Sequence, residues 1–389
     1  MKKILLLLML SVAFVSCSKD IGGPNRQEDN NQTEKPNPDP DIVSPDGYIG
    51  DIKETSPMKI VAQMGIGWNL TNTLDAPTET MWGKPKATQE LLNAVADKGF
   101  KTFRVPVSWA NHMGGAPNYE IDLEWLQRVE EVVCYGLKND MFVILDIHHD
   151  DSWLIPSYAS LDKSKAQLDK VWTQIATYFN KYNERLIFES INEPREKGSP
   201  KEWQGGTAEG KDCVAQLHET SIKAIRATGG NNAKRQIMVS PYGANIDAAT
   251  TLVLPDDDKL IVSVHSYDPY NFCLAPDDSK YVDYDWGTQA DKDAISTTFA
   301  KIKTRFVDKG IPIILGEWGA SCRTLPTGGN NESDCEAHAA HVVQEAIRCG
   351  ICPVAWDMGY IDRHTYLWKR ESVIDAMFEG WELGEKMRN

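Results

Sequence analysis

The chain is poor in positive charge: 41 lysines and arginines stand against 56 aspartates and glutamates among 389 residues, a formal charge of −15. A field of that sign repels phosphate backbones and anionic bilayers, which disfavours nucleic acid and anionic membrane surfaces as partners. Phosphate cradles are missing too. Nowhere does the sequence read G-x-G-x-x-G or G-x-x-x-x-G-K-[ST], so neither a dinucleotide nor a nucleoside triphosphate finds its usual backbone seat. His-E-x-x-H and His-x-His are absent as well, and "DIHHDD" alone does not supply the convergent ligands from several strands that a hydrolytic metal site needs. No metal and no cofactor is expected.

What is present begins at the N-terminus. "MKKILLLLMLSVAFVSCSKD" places two lysines before an apolar run of about a dozen residues, which suits an export signal and is short for a membrane span. The run ends at Val15-Ser16-Cys17, which resembles the lipobox at which bacterial lipoproteins are cleaved and acylated. Residues 1–16 therefore read as the signal and Cys17 as the lipidated residue, the one expected membrane contact. The polar, proline-bearing "NRQEDNNQTEKPNPDPDIVSPDG" reads as a flexible tether over residues 17–45, and the globular domain as residues 46–389. Export permits disulfides, but seven further cysteines are an odd number, so at least one stays unpaired. Cys349-x-x-Cys352 has no second CxxC beside it and leads into an apolar strand, which reads as core packing. Cys322 and Cys335 flank a Gly/Asn loop, and the sequence leaves a bridge between them open.

One quarter of the residues are charged and 41% are hydrophobic, enough apolar material for a substantial soluble core. From Ile60 onward eight β-like runs alternate with helical ones: "MGIGWNL", "FKTFRVPV", "MFVILDIHH", "RLIFESIN", "RQIMVS", "KLIVSVHSY", "IPIILGEW" and "ICPVAWD". Between them, stretches such as "LEWLQRVEEVVCYGLKND" and "DKVWTQIATYFNKYN" space apolar residues three and four apart. Continuous apolar strands in β-then-α order indicate a parallel sheet covered by helices. Eight such units without a glycine-rich phosphate loop predict one α/β domain, a (β/α)8 TIM barrel, rather than an open doubly wound sheet.

In such a barrel the working residues sit at the C-terminal strand ends, which converge on one mouth. Those ends carry Asn69, Arg104, His148 with His149, Asn192 with Glu193, His265 with Tyr267, Glu317 and Trp356; the fifth strand is weak. A ring of polar side chains there must be solvated or paired, and it predicts a cleft. Glu193 and Glu317 close strands four and seven and face each other across the mouth. A glycosidic bond calls for such a pair, a carboxylic acid to protonate the leaving oxygen and a carboxylate on the opposite face of the sugar.

"FRVPVSW", "VILDIHHD", "LIFESINEPR", "VHSYDPYNF" and "IPIILGEWGA" resemble the successive motifs of glycoside hydrolase family 5, the endoglucanase family, over about Gly65 to Asp357. The resemblance implies a retaining endo-β-1,4-glucanase without cofactor, with Glu193 as acid/base and Glu317 as nucleophile. It further implies that Arg104 holds the nucleophile ionised, that Asn192 bonds the sugar 2-hydroxyl and that Tyr267 orients Glu317. His265 would lie near Glu193, His148 would reach the sugar beside the cut, and Trp356 would be the platform for that ring. Asn69 and His149 join this support from the same rim. The first motif departs from the family's endoglucanase and xyloglucanase subgroup at Thr71, where glycine is usual, which predicts an altered first loop. Ala355 and Met358 depart from it at the last strand.

Six tryptophans, Trp68, Trp109, Trp153, Trp203, Trp286 and Trp318, fall in or beside predicted loops, and two or three are expected to stack on sugar rings. A non-catalytic glycan-binding barrel would lack one of Glu193, Glu317 and Arg104, and all three are present. The expected substrate is a β-glucan, with xyloglucan, mixed-linkage glucan, mannan and xylan as alternatives. The protein is expected to be a monomeric, exported bacterial lipoprotein of the outer membrane, cell surface or periplasm.

Overall fold

The structure, a computed structural model, describes residues 47–388; the expected signal, Cys17 and the tether lie outside the described residues. Eight strands form a closed, all-parallel barrel in sequence order: β1 (Gly67–Asn69), β2 (Thr102–Val105), β3 (Phe142–Asp146), β4 (Leu186–Glu189), β5 (Ile237–Val239), β6 (Leu260–His265), β7 (Ile313–Glu317) and β8 (Ile351–Trp356), with β8 pairing back onto β1. The strands are shorter than the apolar runs that announce them, because the ends of each run already belong to loops. The helices are α1 (Pro57–Val61), α2 (Gln89–Asp97), α3 (Leu123–Leu137), α4 (Leu161–Tyr178), α5 (Ala208–Ala227), α6 (Tyr270–Cys273), α7 (Gln289–Arg305), α8 (Glu332–Arg348) and α9 (Glu371–Arg388). The three-and-four spacing places Leu126, Val129, Val133 and Leu137 of α3 in the core.

Side chains alternate between two cores, as strand geometry requires. Val143, Leu145, Leu186 and Phe188 face the helices. Phe142, Ile144, Ile187, Met238, Ile261, Ile314, Cys352 and Val354 fill the barrel, closed at its N-terminal end by Ile60 and Val61 of α1 and by Met64. One inward position further on, the interior turns polar: Ile144 is followed by Asp146, Ile187 by Glu189, Ile261 by Ser263 and Thr102 by Arg104, all buried. That layer is the floor of the mouth. At β6 a register shift between Val264 and His265 sets His265 opposite Glu317 instead of Gly316, so both reach the same level.

Two glycine positions are fixed by close approach. A Cβ on Gly316 would crowd Ser263 Oγ at 2.9 Å and His265 Nε2 at 3.0 Å, and one on Gly380 of α9 would overlap the carbonyl of Ala340 on α8. The seven cysteines among the described residues are free thiols. Cys349 and Cys352 are both buried, Cys352 inside the barrel, which is the packing role their spacing suggests. Among the described residues no helix is long and apolar enough to cross a membrane.

Candidate active site

Arg104 organises the floor. Its guanidinium is fully buried and has five N–H donors. Nε donates to Glu189 Oε2 (2.6 Å), Nη1 to Asn69 Oδ1 (3.0 Å) and Glu317 Oε1 (2.9 Å), and Nη2 to Asn192 Oδ1 (2.7 Å), with Asp146 Oδ2 also 2.9 Å from Nη2. The partners come from the ends of four strands, β1, β3, β4 and β7. Glu189 is fixed in turn by Ser263 Oγ at 2.7 Å. Asn69 gives its amide hydrogens to the carbonyls of Gly316, Val354 and Ala355, so it holds the barrel's seam beneath the cleft and supports the site from below.

The two glutamates close on one point. Glu317 Oε2 accepts from the Tyr267 hydroxyl at 3.0 Å, while Glu193 Oε1 lies 2.8 Å from His265 Nδ1. His265 Nδ1 is also 3.7 Å from Glu317 Oε2, and the nearest carboxylate oxygens of Glu193 and Glu317 lie within 4.8 Å of each other. A retaining pair has its carboxyl groups about 5–5.5 Å apart, whereas inversion needs about 6.5–9.5 Å to admit a water. The spacing fits retention.

Burial pushes Glu193 up to about 7, against the pull of Arg195 and Arg104. Glu317 is also raised, by burial first, with His265, Arg104 and the Tyr267 hydroxyl pulling it down. The expectation that Arg104 sets the ionisation of Glu317 is thus only part of the balance, because a carboxylate in a dry mouth loses its hydration before the guanidinium offsets that loss. Glu317 accepts from a guanidinium and a phenol at hydrogen-bond distance, whereas Glu193 faces only the neutral His265 imidazole at that distance, so a shared proton favours Glu193. Burial lowers His265 and His148 below their ordinary range and raises Tyr267 well above it; the imidazoles are neutral and the phenol stays a donor.

His148 is oriented by Asp146 through Nδ1 at 2.9 Å, its Nε2 is 3.5 Å from Asn192 Nδ2, and its ring lies parallel to Trp356 with centroids 5.9 Å apart. His149 packs edge-on against His148 and Trp82. His148, His149 and Trp356, with Glu193, Glu317, Trp203, Asn245, Tyr270 and Leu274, line a cleft of about 750 Å³ at the mouth.

Several sequence expectations change here. β4 ends at Glu189, and Glu193 stands four residues beyond it in the loop. Of the six tryptophans only Trp203 lines the cleft; Trp68, Trp109, Trp153, Trp286 and Trp318 are buried, because residues beside a strand end face the helix layer as often as the mouth. Trp82, exposed and touching His149, was missed, since its loop carries no periodic signal. Thr71 does not strain the first loop: the positive φ falls on Asn72 at 54°, a residue type that tolerates it, and Thr71 Oγ1 instead bonds Asp357 O and Arg363. Met358 packs over Gly319.

The Arg195 network was missed as well. Its guanidinium reaches Glu193 O (3.1 Å), Glu193 Oε2 (3.8 Å), Glu202 Oε1 (3.1 Å) and Asp151 Oδ1 (3.6 Å), and lies 4.5 Å over the ring of Trp203.

By spacing alone, Asp75 with His148 and His149, or Glu193 with His265 and Glu317, could hold a cation. Part of each set is already engaged. Asp75 accepts from the Asn72 and Thr73 amides, His148 Nδ1 from Asp146's side is taken, and Glu317 already faces a guanidinium, whose charge opposes a second cation there.

The cellulase model of glycosyl hydrolase family 5 matches residues 64–362. The chain belongs to glycosyl hydrolase family 5. Within that family it is 42% identical to the Cellulase/esterase CelE of Acetivibrio thermocellus over 343 residues, which is 85% of this chain and 41% of CelE; the chain thus spans under half the length of that relative. Among solved structures it is similar to a GH5-4 broad specificity endoglucanase from Clostridium acetobutylicum, with 41% identity, TM-score 0.78 and coverage of 84% of this chain and 99% of that one. A GH5-4 broad specificity endoglucanase from Ruminococcus champanellensis with bound cellotriose is 38% identical, with TM-score 0.78 and the same coverage.

Proposed function

We propose that this family 5 protein is a retaining endo-β-1,4-glucanase. The observation that carries the reading is the pair of glutamates with oxygens within 4.8 Å, one hydrogen-bonded by a guanidinium and a phenol, the other paired with a neutral imidazole. Glu317 attacks the anomeric carbon while Glu193 gives its proton to the leaving oxygen. The glycosyl ester on Glu317 then forms as the aglycone departs. Glu193, now ionised, takes a proton from water, which cleaves that ester and restores both groups. Asn192, held by Arg104 at its Oδ1, offers its amide hydrogens to the sugar 2-hydroxyl, and Trp356 presents a flat apolar face to the ring beside the cut.

The named relatives, a cellulase/esterase and endoglucanases, one of them with bound cellotriose, support a β-1,4-glucan as substrate. Incubation with cellulose-type glucan, mixed-linkage glucan, xyloglucan, mannan and xylan, scoring new reducing ends and the first anomer released, tests the reading. Internal cleavage of β-1,4-glucan with a β-anomeric product is expected. An inverted product would overturn the roles of the two glutamates, and no cleavage of any polymer would overturn the activity.

The same reading places the protein outside the cytoplasm, anchored through an acylated Cys17 and acting as a monomer. Metabolic labelling with a fatty acid is expected to mark the full chain and not its C17A variant, and an unlabelled full chain would remove the anchor.

A further inference from the structure

We propose that Cys322 and Cys335 form a disulfide that staples the loop following the nucleophile strand. That loop, residues 318–331, leaves β7 directly after Glu317 and returns to the start of α8. A tight turn folds it on itself: Leu325 N donates to Gly329 O, Gly328 N donates to Leu325 O, Asn331 N donates to Arg323 O, and Asn331 Oδ1 accepts from Arg323 N at 2.6 Å. The turn returns the chain to where it left. Cys335, in the first turn of α8, therefore lies beside the residue preceding Cys322, with its Sγ 3.7 Å from the Ser321 carbonyl and 3.9 Å from Asn331 Oδ1.

The two thiols differ in a way that assigns their order of reaction. Cys322 is partly exposed and Cys335 is buried. The partly exposed thiol is the one a soluble disulfide can reach first, and the neighbouring Cys322 thiol and burial raise Cys335 and keep it protonated until it resolves. An attacking thiol needs access and thiolate character, and a resolving thiol needs only proximity.

With a low-molecular-weight disulfide such as oxidised glutathione as oxidant, the Cys322 thiolate attacks one sulfur and releases one glutathione. Cys335 then attacks Cys322 Sγ in the mixed disulfide and releases the second. One S–S bond breaks and one forms, the protein thiols lose two electrons, and their two protons end on the two glutathiones.

The staple would act on a junction of the mouth. Ser321 N bonds Cys273 O, the Arg323 guanidinium holds the carbonyls of Phe272 and Ala275, and Tyr360 OH bonds both backbone groups of Ala320. The loop thus joins the segments carrying Tyr270 and Leu274 to the loop that follows the last strand.

The test equilibrates the full chain across a range of reduced-to-oxidised glutathione, alkylates it and maps the peptides. A linked 322–335 pair is expected in the oxidised samples, with the unfolding midpoint raised on the order of 5 °C, since closing a short loop by a disulfide is worth about that in a domain of this size. C335S is expected to trap a glutathione adduct on Cys322, and C322S to lose both the linkage and the midpoint shift while retaining its fold. Full alkylation of both cysteines in the oxidised samples, or a linkage to a different cysteine, would overturn the proposal. A C335S protein without an adduct would overturn the order of attack.

Discussion

Arg104 shows how much one side chain can carry. Lysine would keep its charge but offer three donors without the planar fork, leaving buried acceptors among Glu189, Asn192, Asn69 and Glu317 unpaired. R104K is expected to lower kcat roughly 100-fold or more and to lose about 3 kcal/mol of stability; steady-state kinetics and chemical denaturation check both. Arg195 makes a separate prediction. Glu193, pushed up to about 7, must be protonated to act, so kcat/KM should fall as pH rises through about 7. Arg195 is the largest influence pulling Glu193 down, and R195Q should therefore move that alkaline limb to higher pH while the acid limb stays. A limb that does not move would mean the guanidinium serves the loop alone. The sequence marked Glu193, Glu317, Arg104, Asn192 and Tyr267 because strand ends are readable, but it gave no sign of Arg195, whose partners are brought near by loop folding.

At the next level up, elements are positioned by close approaches that no single motif reports. α9 seats itself on α8 because Gly380 and Gly384 present no side chain where the carbonyls of Ala340 and Gln344 pass. G380A is expected to force the helices apart and to cost about 1–3 kcal/mol, read as a fall of roughly 2–6 °C in the unfolding midpoint with little change in KM. An unchanged midpoint would mean the helices can part freely. The eight strands were legible as apolar runs, and α3 as a three-and-four pattern, since both periodicities are local. The start of α4 at Leu161 and the bulge at His265 were not, because each is settled by neighbours from elsewhere in the chain. The tryptophans mislead for the same reason: indole is equally at home against a helix layer and against a sugar.

The titration of the molecule as a whole brings two sets of buried groups into opposition. His112, His148, His149, His218, His265 and His338 are all lowered, by burial first. The unfolded chain binds their protons more readily below about pH 6.5, so they remove stability as pH falls. Asp75, Asp146, Asp150, Glu193 and Glu317 are raised, also by burial. The folded state binds their protons more readily between about pH 4 and 7, so they add stability as pH falls through that window. The two sets nearly cancel between about pH 5 and 7. Below about pH 4.5 the unfolded carboxylates protonate as well, the second contribution levels off and the histidines prevail. Calorimetry is expected to give a flat midpoint over the upper window and a decline below it; a midpoint still climbing at pH 4 would contradict this balance.

The order of strands and helices, the barrel they close, and the pair of glutamates at its mouth are determined by the sequence itself, because apolar runs, helical spacing and strand-end position are properties of neighbouring residues. The tertiary structure alone decided that Glu193 and Glu317, 124 residues apart in the chain, stand within 4.8 Å. It also decided that residues from four strands share the Arg104 guanidinium, and that Cys335 lies against the Ser321 carbonyl beside Cys322. Those are distances across the barrel and its loops, and a distance between remote residues exists only once the chain has closed on itself.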